Sequence, residues 1–330
     1  MNSPHGKLLA LAAGAALPLL WLIGCKSKGA QDTASPFMST VASTPPQSAD
    51  DAPPPEKTGG FDGKRAFAHV AKQVSFGPHP SGSPAIAQVQ DYLQSELKSY
   101  GCSVETDSFG ADTPVGRLPM KNILVKISGE KPGTILLGTH YDTKRLENFV
   151  GADDGGSSTA VMLELARLLC LQRGKYAVWI AFFDGEEAVK DWSDTDSCYG
   201  SHQMVAKLSA SGDLAKIKAL LLADIVGGRY LHVKRETNST KWLTDLVWKT
   251  ADRLGHQSIF LDQELPVEDD HLSFLSRKIP SVDVIDLDNG PNGDVYYWHT
   301  SQDTLDKISA RSLAIVGHVF LESVKQLQAK

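Results

Sequence analysis

Five short, mostly apolar runs, at 122–127, 134–138, 177–183, 219–224 and 281–287, recur through the later part of this 330-residue chain. Most of them lack the alternation that would leave one face in water, so they read as strands covered on both faces. Between them lie segments of helical period. Met162, Leu165, Ala166 and Leu169 fall at i, i+3, i+4 and i+7 and set one apolar stripe against a sheet. Further helices are expected at 83–100, 239–254 and 308–328. Strands alternating with helices specify an α/β fold, a three-layer α/β/α sandwich with a mixed, mostly parallel central sheet. In such sheets ligands gather beyond the carboxyl ends of the strands.

That is where the acid and imidazole groups stand. The run at 134–138 leads into Thr139-His140-Tyr141-Asp142, and the next loop reads Gly151-Ala152-Asp153-Asp154-Gly155-Gly156. The run at 177–183 ends in Asp184-Gly185-Glu186-Glu187, and that at 219–224 ends in Asp224. Glu268-Asp269-Asp270-His271 and Trp298-His299-Thr300 follow late in the chain. A single Asp or His after a strand is commonly a cap or a solvated charge, but solvated charges have no reason to keep following buried strands on one side. Two histidines with several carboxylates form an N/O ligand set suited to zinc, with an open coordination position left for substrate or water. Neighbouring residues leaving a strand point in different directions, so one of Glu186 and Glu187 can hold metal while the other carries a proton.

The two ends of the chain differ in kind. Residues 8–24 are uncharged and apolar, preceded by Lys7 and closed by Leu22-Ile23-Gly24-Cys25. The length suits a signal-peptide core better than a membrane span, which needs about 20 apolar residues. The closing residues resemble a bacterial lipobox, which implies cleavage before Cys25, a lipid on that cysteine, and an exported, membrane-tethered bacterial lipoprotein on the periplasmic or cell-surface face. Residues 26–60, rich in Ser, Thr and Pro, read as a disordered tether. A single catalytic domain is expected over 61–330. Its hydrophobic content, 42% for the whole chain, is ample for a core. A net charge of −6 excludes a generally basic nucleic-acid binder. No Gly-rich phosphate loop follows a strand, so no nucleotide is expected. The four cysteines include no Cys-x-x-Cys pair, and the pairing of Cys102, Cys170 and Cys198 is left open.

Taken together, His140-Tyr141-Asp142, Gly151 to Asp154, Asp184-Gly185-Glu186-Glu187, Asp224 and His299 resemble the zinc-dependent exopeptidase superfamily of aminopeptidases. Within it, Phe182-Phe183-Asp184-Gly185-Glu186-Glu187-Ala188 with Trp192-Ser193 and Asp196-Ser197-Cys198-Tyr199-Gly200-Ser201 is similar to the animal-type glutaminyl-peptide cyclotransferases. Asp269-Asp270-His271 and Trp298-His299-Thr300 extend the likeness. The resemblance implies one zinc ion held by Asp154, Glu187 and His299, with Glu186 as acid/base and Asp224 and Asp269 completing a catalytic carboxylate network. Trp192 and Trp298 would wall a pocket for the N-terminal glutamine of a peptide or protein. The rival within the superfamily is an aminopeptidase in which His140 and Asp224 hold a second metal and Asp154 bridges the two. Asp269-Asp270-His271 and the paired tryptophans favour the cyclase, and retention of Glu186 argues against a binding protein that has lost catalysis. Two departures stand out. Thr139 and Thr159 occupy positions where animal members can carry a disulfide, so none is expected there, and residues 286–293 are polar where the family's loop is apolar.

Overall fold

The computed structural model describes residues 52–330. Its sheet is mixed because the early strands, β1 (Val104–Thr113) and β2 (Gly116–Ile127), form an antiparallel hairpin at one edge. β2 pairs antiparallel with β4 (Gly174–Phe183). From there β3 (Gly129–His140), β5 (Ile217–Asp224) and β8 (Ser281–Ile285) continue in parallel, giving the order β1-β2-β4-β3-β5-β8. A separate parallel pair joins β6 (Val233–Glu236) to β7 (Phe260–Leu265).

The uniform apolarity of the central strands follows from their two covered faces. Along β3, Ile135 and Leu137 join the cluster built with α1 (Gly63–Val74), α2 (Pro84–Ser99), α3 (Gly156–Leu169), α5 (Lys241–Arg253) and α7 (Ala310–Ala329). Leu136, between them, joins the opposite cluster with Met204 and Leu208 of α4 (Tyr199–Ser211) and Phe274 of α6 (His271–Leu275). The expected helices at 83–100, 239–254 and 308–328 correspond to α2, α5 and α7. Local chemistry sets their starts: Ser83 accepts Ile86 N ahead of Pro84, and Ser309 accepts Ser312 N.

Three details differ from the sequence expectation. The strands β1, β6 and β7 were not marked by apolar runs, and β8 ends at Ile285 rather than at residue 287. A turn at Pro55–Lys57 with Thr58 buried places the end of the expected 26–60 tether on the folded body. Cys102, ahead of β1, is bonded to Cys170 at the end of α3, and Cys198 is free and buried. The expected signal peptide, Cys25 and most of the tether lie outside the described residues. Among the described residues no helix is long and apolar enough to cross a membrane.

Candidate active site

Parallel register brings the strand ends to one edge: His140 lies opposite Phe183, and Asp224 opposite Ile285. The chain then turns at each end, and the side chains released there converge. Asp154 comes from the loop before α3, where Gly155 sits at φ 79° and a Cβ would come within 2.9 Å of His140 Cε1, so that loop needs glycine. Glu186 and Glu187 follow β4, Asp269 precedes α6, and His299 lies in the segment after β8.

His299 Nε2 is 3.3 Å from Asp154 Oδ2 and 3.2 Å from Glu187 Oε1. Asp154, Glu187 and His299 each offer a ligand atom, all within 4.8 Å of one another. Asp154 Oδ2 is buried without a hydrogen-bond partner. One nitrogen and two carboxylates at this spacing, with an orphaned buried oxygen among them, suit a divalent ion of zinc's preferences. The group His140, Asp154 and Asp224 meets the same spacing, with His140 Nε2 3.0 Å from Asp224 Oδ1, and in each group the imidazole hydrogen-bonds a carboxylate directly.

Burial dominates the electrostatics. It lifts Glu186 well above the ordinary carboxyl range, with the nearby His140 charge opposing and Asp269 and Glu187 adding to the rise. Burial and the neighbouring Asp224 raise Asp269 to about 7. Asp224 is raised by burial to about 6 against the pull of His140. Asp154 moves the other way: burial pushes it up, but the His140 and His299 rings, each 3.3 Å from one of its oxygens, outweigh that and keep it a carboxylate. Burial would lower His299, yet Asp154 and Glu187 hold it up at about 9.

A cavity of about 450 Å³ is lined by Asp154, Glu186, Glu187, Asp224, Asp269 and His299 together with Trp192 and Trp298. The residues to which the cyclase resemblance gave a role therefore line one space; of the run Asp269-Asp270-His271 only Asp269 does, and His140 does not. The His271 ring instead meets Glu236, Nε2 to Oε2 at 3.0 Å. The Trp298 indole stacks on the His299 ring at 4.1 Å between centroids. Although residues 286–293 are polar, Leu287 and Ile285 contribute apolar lining.

Sequence reasoning missed the groups that hold these residues. Asp303 accepts Asp153 N at 2.8 Å and Asp154 N at 3.0 Å, fixing the backbone that carries Asp154. Asp142 accepts Glu186 N at 3.1 Å. Lys144 pairs with Glu187 Oε2 at 3.1 Å. At the two positions where a disulfide was not expected, Thr139 meets Ser158 Oγ at 2.8 Å and Thr159 donates to His140 O at 2.7 Å.

Residues 122–324 match the model of peptidase family M28. A solved glutaminyl cyclase from an Acidobacteriales bacterium is 42% identical, with a TM-score of 0.77 over 82% of this chain and 95% of that one. The Porphyromonas gingivalis glutaminyl cyclase is 31% identical, with a TM-score of 0.75 over 81% of this chain and 99% of the other. A glutaminyl-peptide cyclotransferase-like protein of Bos taurus is 33% identical over 257 residues, 68% of this chain and 65% of its own length.

Proposed function

This chain belongs to peptidase family M28, and we propose that it is a glutaminyl-peptide cyclotransferase, converting the N-terminal glutamine of peptides or proteins to pyroglutamate with release of ammonia. The observation that carries this reading is the meeting, in one cavity, of a three-donor metal group, Glu186, Asp269 and two indoles. Similarity to the glutaminyl cyclases supports it.

Cyclisation joins the substrate's α-amine to its γ-amide carbon and expels the amide nitrogen. Zinc held by Asp154, Glu187 and His299 would supply Lewis acidity to the γ-amide carbonyl. Glu186 accepts the proton that the attacking amine gives up and returns it to the departing nitrogen as ammonia leaves, so the enzyme ends as it began. Burial and like charge oppose ionisation of both Asp224 and Asp269, so one of them would hold a proton and could donate a hydrogen bond to substrate. Trp192 and Trp298 cover the glutamine side chain and keep out water that would compete with the amine. We assign one zinc ion per chain, as the cyclase reading implies, held by the group that lines the cavity. In the aminopeptidase reading His140 and Asp224 would hold a second ion.

The protein is further proposed to act outside the cytoplasm, tethered through a lipid on Cys25. The Cys102–Cys170 disulfide supports an oxidising location. Conversion of Cys25 to Ser should move the protein from the membrane fraction to the soluble one; unchanged partitioning would remove the lipid anchor. The activity is tested by following Gln-, Leu- and Ala-initiated peptides with the zinc-loaded protein by mass spectrometry. Ammonia loss from the Gln peptide alone is expected, whereas stepwise shortening of the others would make this an aminopeptidase.

A further inference from the structure

We propose that Glu268 is a positioning residue for the substrate pocket, holding the Trp192 indole in place across the cavity. The inference rests on the cyclase reading for what the pocket binds, but the bond itself is a property of the chain. Trp192 lies between β4 and α4 in a segment without helix or strand. The backbone leading to it is fixed from within. The Asp196 carboxylate accepts Val189 N at 3.0 Å, Lys190 N at 2.9 Å and Asp191 N at 3.0 Å, and also receives the Tyr199 hydroxyl at 2.8 Å.

Those bonds stop at residue 191, one short of the indole. Trp192 is 39% exposed, so packing alone leaves the ring's rotation about its side-chain bonds weakly determined. An indole has a single hydrogen to donate. Trp192 gives it to Glu268 Oε2 at 2.9 Å, across 76 residues of sequence. Glu268 immediately precedes Asp269, and both line the same cavity as Trp192. The bond therefore ties the loop after β4 to the loop before α6, two walls of one pocket. A pocket wall oriented before substrate arrives spares the cost of ordering it on binding.

A positioning role affects substrate capture more than chemistry. Relative to the wild-type zinc-loaded protein, E268A should raise KM for a Gln-initiated peptide about two- to tenfold, the worth of one hydrogen bond, with kcat little changed. E268Q keeps an acceptor oxygen and should recover most of the loss. The independent readout is the indole ¹H–¹⁵N resonance of Trp192, assigned by its disappearance in W192F and recorded without substrate. It should shift and broaden in E268A and return towards its original position in E268Q. A Trp192 resonance unmoved in E268A overturns the proposal. So does a resonance that moves while KM stays constant, or a KM rise that E268Q fails to reverse. If the wild-type protein leaves Gln peptides uncyclised, the functional reading falls separately, and the resonance still reports on the bond.

Discussion

Glu186 and Glu187 are adjacent in the chain and nearly equal in burial, yet they face different partners. Glu187 meets His299 and Lys144, while the Glu186 carboxylate lies 3.9 Å from His140 Nδ1 and belongs to no three-donor group. Replacing Glu186 with Gln keeps its shape and removes its basicity, so turnover should fall about 10²- to 10⁴-fold with zinc content unchanged by elemental analysis. Loss of zinc in E186Q would instead place Glu186 among the ligands. Asp303 acts through the Asp154 backbone, so D303A should weaken zinc binding about 10- to 100-fold in a competition titration with a chelator. Unaltered affinity would show that the loop holds itself. The residues at the strand ends were legible because acids and imidazoles recur after several buried runs on one side, which a lone cap or solvated charge does not explain. Asp303 was not, since an Asp in a polar loop has many ordinary uses and only the fold reveals which amides it meets.

The disulfide fastens the chain ahead of β1 to the end of α3, the helix whose opposite end follows Asp154. Replacing both Cys102 and Cys170 with Ser should lower unfolding free energy by about 2–4 kcal/mol in urea titrations. An unchanged midpoint would mean that packing of α3 alone sets the position of that end. Strands buried on both faces could be read directly, because Ile135, Leu136 and Leu137 are all apolar for separate reasons, two facing one helical layer and one the other. β1 could not. It is an edge strand paired only with β2, and its sequence of Asp, Ser, Thr and Gly is tolerated because much of it stays in water. Pairing of Cys102 with Cys170 was equally hidden, because the distance between them depends on how β1 and α3 meet.

At the scale of the whole molecule, the carboxyl edge of the parallel strands gathers buried carboxylates whose mutual repulsion a bound cation would relieve. Removing zinc with a chelator should therefore lower Tm, and adding zinc back should restore it. At a free metal concentration a hundred times Kd the linkage is about 2.7 kcal/mol. A Tm indifferent to zinc would deny metal binding to the folded state. The sandwich itself was legible from strand and helix alternation, and the neighbourhood of the site from strand ends; which indole bonds to what was not, since that depends on loops meeting across 76 residues. The three donors Asp154, Glu187 and His299 are spread along the chain, the last of them close to the final helix. If these three are the ligands, as proposed, a chain interrupted anywhere before residue 299 would lack one of them. Incomplete copies would then be inert by construction, and activity would begin only where folding finishes.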